Sequence, residues 1–270
     1  MSDLEVGLHR TVEEFQFDID GLMEILEAAY LKDRNRIDDN AWNRKTYPPS
    51  GVGYEPGGGL CPRRWYYEFH GDFVRDNDRR SIELVSMDRG NESHERIQKW
   101  FEDSGVLIEA EREIKLDSPP IKGKVDLVFE WQGRTVVGEI KTTKQEAFTL
   151  LKAENKPRIY QLFQLLMYMF VLGHRDGLML YENNNTGEML LFPVYMTDEM
   201  LEAMEYAFNW MITVKDNEEL PTRPYKSKSS GKGCTYCPFK DDCWKDEPGT
   251  VTLPLLELPK PPTKPGEDSA

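Results

Sequence analysis

Apolar residues recur at mixed three- and four-residue spacing between Val12 and Arg34, at Phe15, Ile19, Leu22, Ile25, Leu26 and Ala29, the stripe of an amphipathic helix. The Pro- and Gly-rich stretch TYPPSGVGYEPGGGLCPRRWYYEFHG then predicts an ordered loop that ends in an aromatic, basic helix start. A helix is expected from about Asn91 to Glu102, and Val106 to Leu116 alternates as a strand does. Two apolar runs follow in GKVDLVFEWQGRTVVGEIKTTK, separated by a polar turn at Gln132 and Gly133, and read as a hairpin. KPRIYQLFQLLMYMFVLG, opened by a proline and closed by a glycine, predicts a core helix. Strands near Gly177–Tyr181 and Glu188–Tyr195 flank the turn ENNNTG, and Thr197 is a suitable cap for a helix running to Lys215. From Glu247 to Ala270 six prolines and little periodicity predict a disordered or extended tail. No internal repeat is evident.

The hairpin raises the functional question, because it carries charge inside apolar runs. In a strand, Glu139 and Lys141 share a face while Ile140 points to the opposite layer. The hairpin can bring Asp126 beside that pair. Two close carboxylates repel, a divalent cation relieves the repulsion, and a lysine steadies an attacking water or charge on phosphate. Glu-x-Lys alone is common on solvated strands. Here VVG before and TT after mark a buried strand, in which charge is costly without a purpose.

Composition bounds this reading. The 270 residues carry 34 Lys and Arg against 48 Asp and Glu, a net charge of −14, so a polyanion would have to be met by local basic patches or bound cations. No apolar run approaches the roughly 20 residues of a membrane span, and MSDLEVGLHR lacks the pattern of a signal peptide, which predicts a cytoplasmic protein, in the host cytoplasm if the source is viral. In a reducing compartment the four cysteines are better read as metal ligands than as disulfides. Cys234, Cys237 and Cys243 form Cys-x2-Cys-x5-Cys, Cys61 stands far earlier, and prolines follow Cys61 and Cys237. Structural zinc more often uses two local knuckles, whereas a one-plus-three split suits an iron–sulfur cluster; the chemistry leaves both open.

GKVDLVF followed by GEIKTT resembles the Asp and Glu-x-Lys motifs of the PD-(D/E)xK nuclease superfamily. NESHERIQKWF resembles the helical histidine motif of its RecB-like branch, and YQLFQLLMY the Gln-x-x-x-Tyr motif at Gln164 and Tyr168. CPRRWYY and the one-plus-three cysteines are similar to the iron–sulfur exonucleases of the Cas-four type and to the AddB nuclease domain. The resemblance spans Cys61 to Cys243. It implies an α/β, restriction-endonuclease-like core, a central mixed sheet flanked by helices, with an iron–sulfur-stapled helical subdomain. Residues 1–60 would form an N-terminal helix and loop, 61–245 the nuclease domain and 246–270 the tail.

By that resemblance His94, Asp126, Glu139 and the Ile140 carbonyl hold Mg2+ or Mn2+, and imidazole among the donors suits manganese as well as magnesium. Lys141 orients water or stabilises phosphate, while Gln164 and Tyr168 position the strand. Cys61, Cys234, Cys237 and Cys243 hold a 4Fe-4S cluster. Arg63, Arg64 and Trp65, with Lys226, Lys228 and Lys232, are the candidate DNA contacts. The implied activity is a DNA exonuclease on single-stranded ends with 5′ to 3′ polarity, in recombination, replication, repair or CRISPR adaptation, as a monomer or homo-oligomer beside helicase or adaptation partners. The alternatives are a noncatalytic iron–sulfur DNA-binding subunit and a zinc-stapled structural protein.

Overall fold

The computed structural model describes residues 19–34, 45–71, 81–229 and 231–259. The expected helix before Ile19 lies outside them; its remainder is α1 (Ile19–Arg34). The Pro- and Gly-rich loop contains a short helix, α2 (Pro49–Val52), and a 3-10 turn at Glu55–Gly57, and leads into α3 (Pro62–His70). Helix α4 (Ser81–Asp103) starts well before the expected Asn91.

Strands β1 (Leu107–Asp117), β2 (Pro120–Trp131) and β3 (Arg134–Thr143) form an antiparallel meander. Gln132 and Gly133 both take positive φ, 52° and 73°, the backbone a two-residue hairpin needs to match strand twist. The chain then crosses over through α5 (Gln145–Glu154) and α6 (Ile159–Leu172), so that β4 (Asp176–Asn183) pairs in parallel with β3. Strand β5 (Met189–Tyr195) returns antiparallel, giving a mixed sheet in the order β1-β2-β3-β4-β5. Helix α7 (Asp198–Asp216) is capped at Thr197, whose hydroxyl accepts from the Met200 amide, and α8 (Lys240–Lys245) carries Cys243. The apolar pattern did not single out α5, which buries only Phe148 and Leu151.

Each sheet face is covered by helix. Every residue of α6 from Leu162 to Met169 is buried, because the helix lies between the sheet and its neighbours α2 and α7. That explains its apolarity on all sides. On the other face Ile97 of α4 packs with Leu127, Phe129, Ile140 and Leu180. Strand β3 is therefore central and enclosed on both faces, with Val137 in one cluster and Ile140 in the other. The architecture is the mixed α/β core expected of a restriction-endonuclease-like fold.

The early and late segments meet at α3. Arg63 is fully buried and its guanidinium donates to the carbonyls of Pro221, Pro248 and Glu247 at 2.7–2.8 Å. Trp65, also fully buried, donates to the Gly59 carbonyl and packs against Tyr47. The segment set apart as a tail is extended, as its prolines dictate, but from Glu247 to Leu258 it is packed rather than disordered. The Leu256 amide donates to the Leu60 carbonyl, Trp210 Nε1 donates to the Pro254 carbonyl, and the Leu256 side chain is buried. Residues 260–270 lie outside the described residues.

Because Leu256 sits in the main core cluster, Leu256→Ala should lower unfolding stability by about 2–4 kcal/mol. Chemical denaturation of the variant measures this, and a midpoint equal to wild type would show that the segment contributes nothing to the fold.

Candidate active site

The site forms where β2 and β3 separate. Their ladder ends at Leu127 opposite Gly138, and beyond it the Asp126 side chain takes over: Oδ2 accepts the Ile140 backbone amide at 2.7 Å. Flanking residues Val125 and Leu127 join the two different core clusters, so the strand's alternation is interrupted at Asp126. Asp126 itself is buried.

Glu139 is buried on the α6 side, where Val137 and the α6 residues form the main core. Its Oε1 accepts from Lys141 Nζ at 2.6 Å and from Gln164 Nε2 at 2.6 Å. The Gln164 amide is fully employed, since its Oε1 accepts from Lys141 Nζ at 2.9 Å and its Nε2 also reaches the Tyr168 hydroxyl at 3.3 Å. Gln164 therefore clasps the Glu-Lys pair, and Tyr168 backs Gln164 from the next turn of the helix. The second carboxylate oxygen, Glu139 Oε2, is buried without a hydrogen-bond partner. A buried, unpaired carboxylate oxygen is costly unless something further binds it.

The electrostatics follow. Burial, then the neighbouring Asp126, pushes the Glu139 carboxyl up to about 8, outweighing the pull of Lys141. Burial works against the Lys141 ammonium, but Glu139 and Asp126 outweigh it and hold its pKa above the ordinary value. The Tyr168 hydroxyl is raised by burial and then by Glu139.

His94 reaches the site from α4, its Nδ1 3.4 Å from Asp126 Oδ1. Burial opposes its protonation, yet the hydrogen bond and charge of Asp126 prevail and raise its pKa. Glu111 of β1 stands there too: one ligand atom from each of His94, Glu111 and Asp126 lies within 4.8 Å of the others. Gln98 Nε2 ties the group together by donating to Glu111 Oε1 at 3.0 Å and to the Asp126 carbonyl at 3.1 Å. Sequence reasoning missed Glu111 and Gln98. In an alternating charged strand Glu111 is one solvated acid among several, and no local signal marks it.

A second constellation gathers the cysteines. Cys61, Cys234, Cys237 and Cys243 line one cavity of about 20 Å³, together with Arg64, Arg223, Lys240 and aromatic side chains. All four are free thiols, and burial pushes Cys61 up to about 12 and Cys237 up to about 11. The four thiols thus share one cavity wall with cationic side chains, and a metal group held there would need them as thiolates, against the protonation that burial favours. The expected DNA contacts divide. Arg63 and Trp65 cannot touch DNA, because both are enclosed in the α3 junction. Arg64 lies with its guanidinium 3.8 Å over the Trp65 ring. Lys226, Lys228 and Lys232 are exposed, with Lys228 paired to Asp241.

Residues 102–244 match the model of the PD-(D/E)XK nuclease superfamily, an interval that contains Asp126, Glu139, Lys141, Gln164 and the three clustered cysteines. No curated protein matches the chain. Among solved structures, SSO0001 is similar at a TM-score of 0.45 and 19% identity, covering 83% of this chain and 96% of that one. LHK-Exo in complex with dAMP is similar at 0.47 and 15%, covering 63% and 88%. The alkaline exonuclease LHK-Exo from Laribacter hongkongensis, in a further structure, is similar at 0.44 and 13%, covering 70% and 91%.

The raised Glu139 pKa sets a pH dependence. A carboxyl whose folded pKa exceeds its unfolded value favours the fold at low pH; its contribution falls from the unfolded carboxylate range, about 4.3, up to about 8. A cation bound to Glu139 must displace that proton. Mn2+ affinity should therefore rise steeply between about pH 6 and 8, with at least about one proton released per ion at neutral pH. Calorimetry in buffers of different ionisation enthalpy counts the protons. Affinity independent of pH over this range would remove Glu139 from the ligand set.

Proposed function

The chain belongs to the PD-(D/E)XK nuclease superfamily, and we propose that it is a divalent-metal-dependent DNA exonuclease acting on single-stranded ends with 5′ to 3′ polarity. The observation that carries this reading is the clasped trio of Glu139, Lys141 and Gln164 beside the Asp126 carboxylate, where two central strands part. So costly a buried arrangement has a purpose in hydrolysis and none in packing. A noncatalytic DNA-binding subunit would have no use for it.

In this reading Asp126, Glu139 and His94, with the Ile140 carbonyl, hold Mg2+ or Mn2+. The cation, when bound, acidifies a water and neutralises charge on the phosphate. Asp126 is oriented for that task by the Ile140 amide, and Glu139 by Lys141 and Gln164. Lys141, held charged among carboxylates, is the donor for the attacking water or for the charge developing on phosphate. Tyr168 and Gln164 act as positioning residues that keep the lysine and carboxylate in register.

The exonuclease subtype rests on the cysteines. Their convergence on one cavity supports a 4Fe-4S cluster that staples the segment near Cys61 to that near Cys243, within a nuclease domain of residues 61–245. With Arg63 and Trp65 given over to structure, DNA contacts fall to Lys226, Lys228 and Lys232. No described helix is long and apolar enough to cross a membrane. Unwinding of duplex DNA, and the pathway served, would come from partner proteins of recombination, repair or CRISPR adaptation.

Purified protein incubated with end-labelled single-stranded and duplex DNA, with and without Mn2+, tests the activity. Glu139→Ala and Lys141→Ala should each lose at least about 100-fold in cleavage rate while keeping the fold and any colour. Wild-type cleavage by either variant would overturn the site. Anaerobically purified Cys61→Ala should lack iron and labile sulfide and melt below wild type. Zinc in place of iron in the wild-type protein would defeat the cluster and leave the nuclease centre standing.

A further inference from the structure

We infer that Glu111 is a metal ligand of the nuclease centre, completing with His94 and Asp126 a cation position on the β1 side; the inference rests on the nuclease reading above. Glu111 is the residue opposite Asp126 across the β1–β2 ladder, between the pairs Ala110 with Leu127 and Arg112 with Val125. It takes a φ of +52°, a left-handed backbone that regular strand pairing never requires of a non-glycine residue. Its carboxylate joins His94 and Asp126 closely enough for one ion to touch all three. Gln98, from the same helix as His94, bonds both Glu111 and the Asp126 backbone and so fixes the spacing.

Charge and an independent orphan atom favour an ion over a solvated acid. Glu111 and Asp126 bring two carboxylates together beside His94, while Lys141 is paired with Glu139 and feels the charge of Asp126. The remaining ion pair of Glu111, with Lys124 at 3.6 Å, is long and lies on the exposed side. Glu139, outside this trio but near enough to Asp126 and His94 for their charges to act on it, leaves its buried Oε2 without a hydrogen-bond partner. Two carboxylates and an imidazole form a mixed oxygen and nitrogen donor set, which suits Mn2+ better than Mg2+.

The test measures Mn2+ binding to the full chain by calorimetry and by the loss of free-ion paramagnetic resonance signal. Glu111→Gln keeps the side-chain volume and the acceptor for Gln98. It should bind Mn2+ at least about tenfold more weakly than wild type, with an unchanged circular dichroism spectrum. Glu113→Gln, two residues along the same strand, removes an equal charge and should stay within about twofold of wild type. Equal affinities for Glu111→Gln and wild type, or equal losses in both variants, would overturn the assignment. Glu139→Gln separates this from the parent reading. If it binds Mn2+ as wild type does, the nuclease centre itself fails; if it alone weakens binding, only Glu111 is excluded.

Discussion

The burial of one carboxylate, Glu139, in the middle of the central strand is the constraint to which the surrounding structure answers. A charged side chain in that position costs several kcal/mol unless it is paired and hydrogen-bonded. Lys141 and Gln164 meet part of that cost through Oε1. This is why a helix as apolar as α6 carries a glutamine whose amide is spent on the sheet beneath it. Close by, β2 leaves the ladder at Asp126, where a side chain, not a backbone carbonyl, accepts the Ile140 amide. At Oε2 the remaining deficit is what holds the carboxyl protonated up to about 8, a proton that a cation bound there would displace.

A second constraint is topological. The residues around Cys61 and those from Pro221 to Leu258 lie at opposite ends of the sequence, yet they must close around the core. Arg63 does this with protein groups alone, holding three late carbonyls in its buried fork, and Tyr67 adds a bond to Asp246. Arginine suits the task because its planar donors match several carbonyls at once and it stays charged when enclosed. The cysteines converge beside this junction. A metal group there would reinforce a closure that the arginine already begins.

Elements with strong periods, and residues whose chemistry is local, can be read from the chain alone. The hairpin at Gln132 and Gly133, the core helix ending at Gly173, the Thr197 cap and the Asp126, Glu139, Lys141 set are all legible, because alternation, turn residues and capping act over a few residues. Helix α5 was not, since two buried side chains make no pattern. Which charged side chains are enclosed depends on packing between distant segments. Arg63 and Trp65 read as a nucleic-acid patch, because basic and aromatic residues side by side look the same whether they meet DNA or clasp a distant segment. Glu111 drew no reading, because nothing in EAEREIK shows that its backbone turns left-handed or that it stands across from Asp126. Packing partners and backbone handedness of this kind depend on strands and helices far apart in the chain, and such long-range placement leaves no trace in a local pattern of apolar and polar residues.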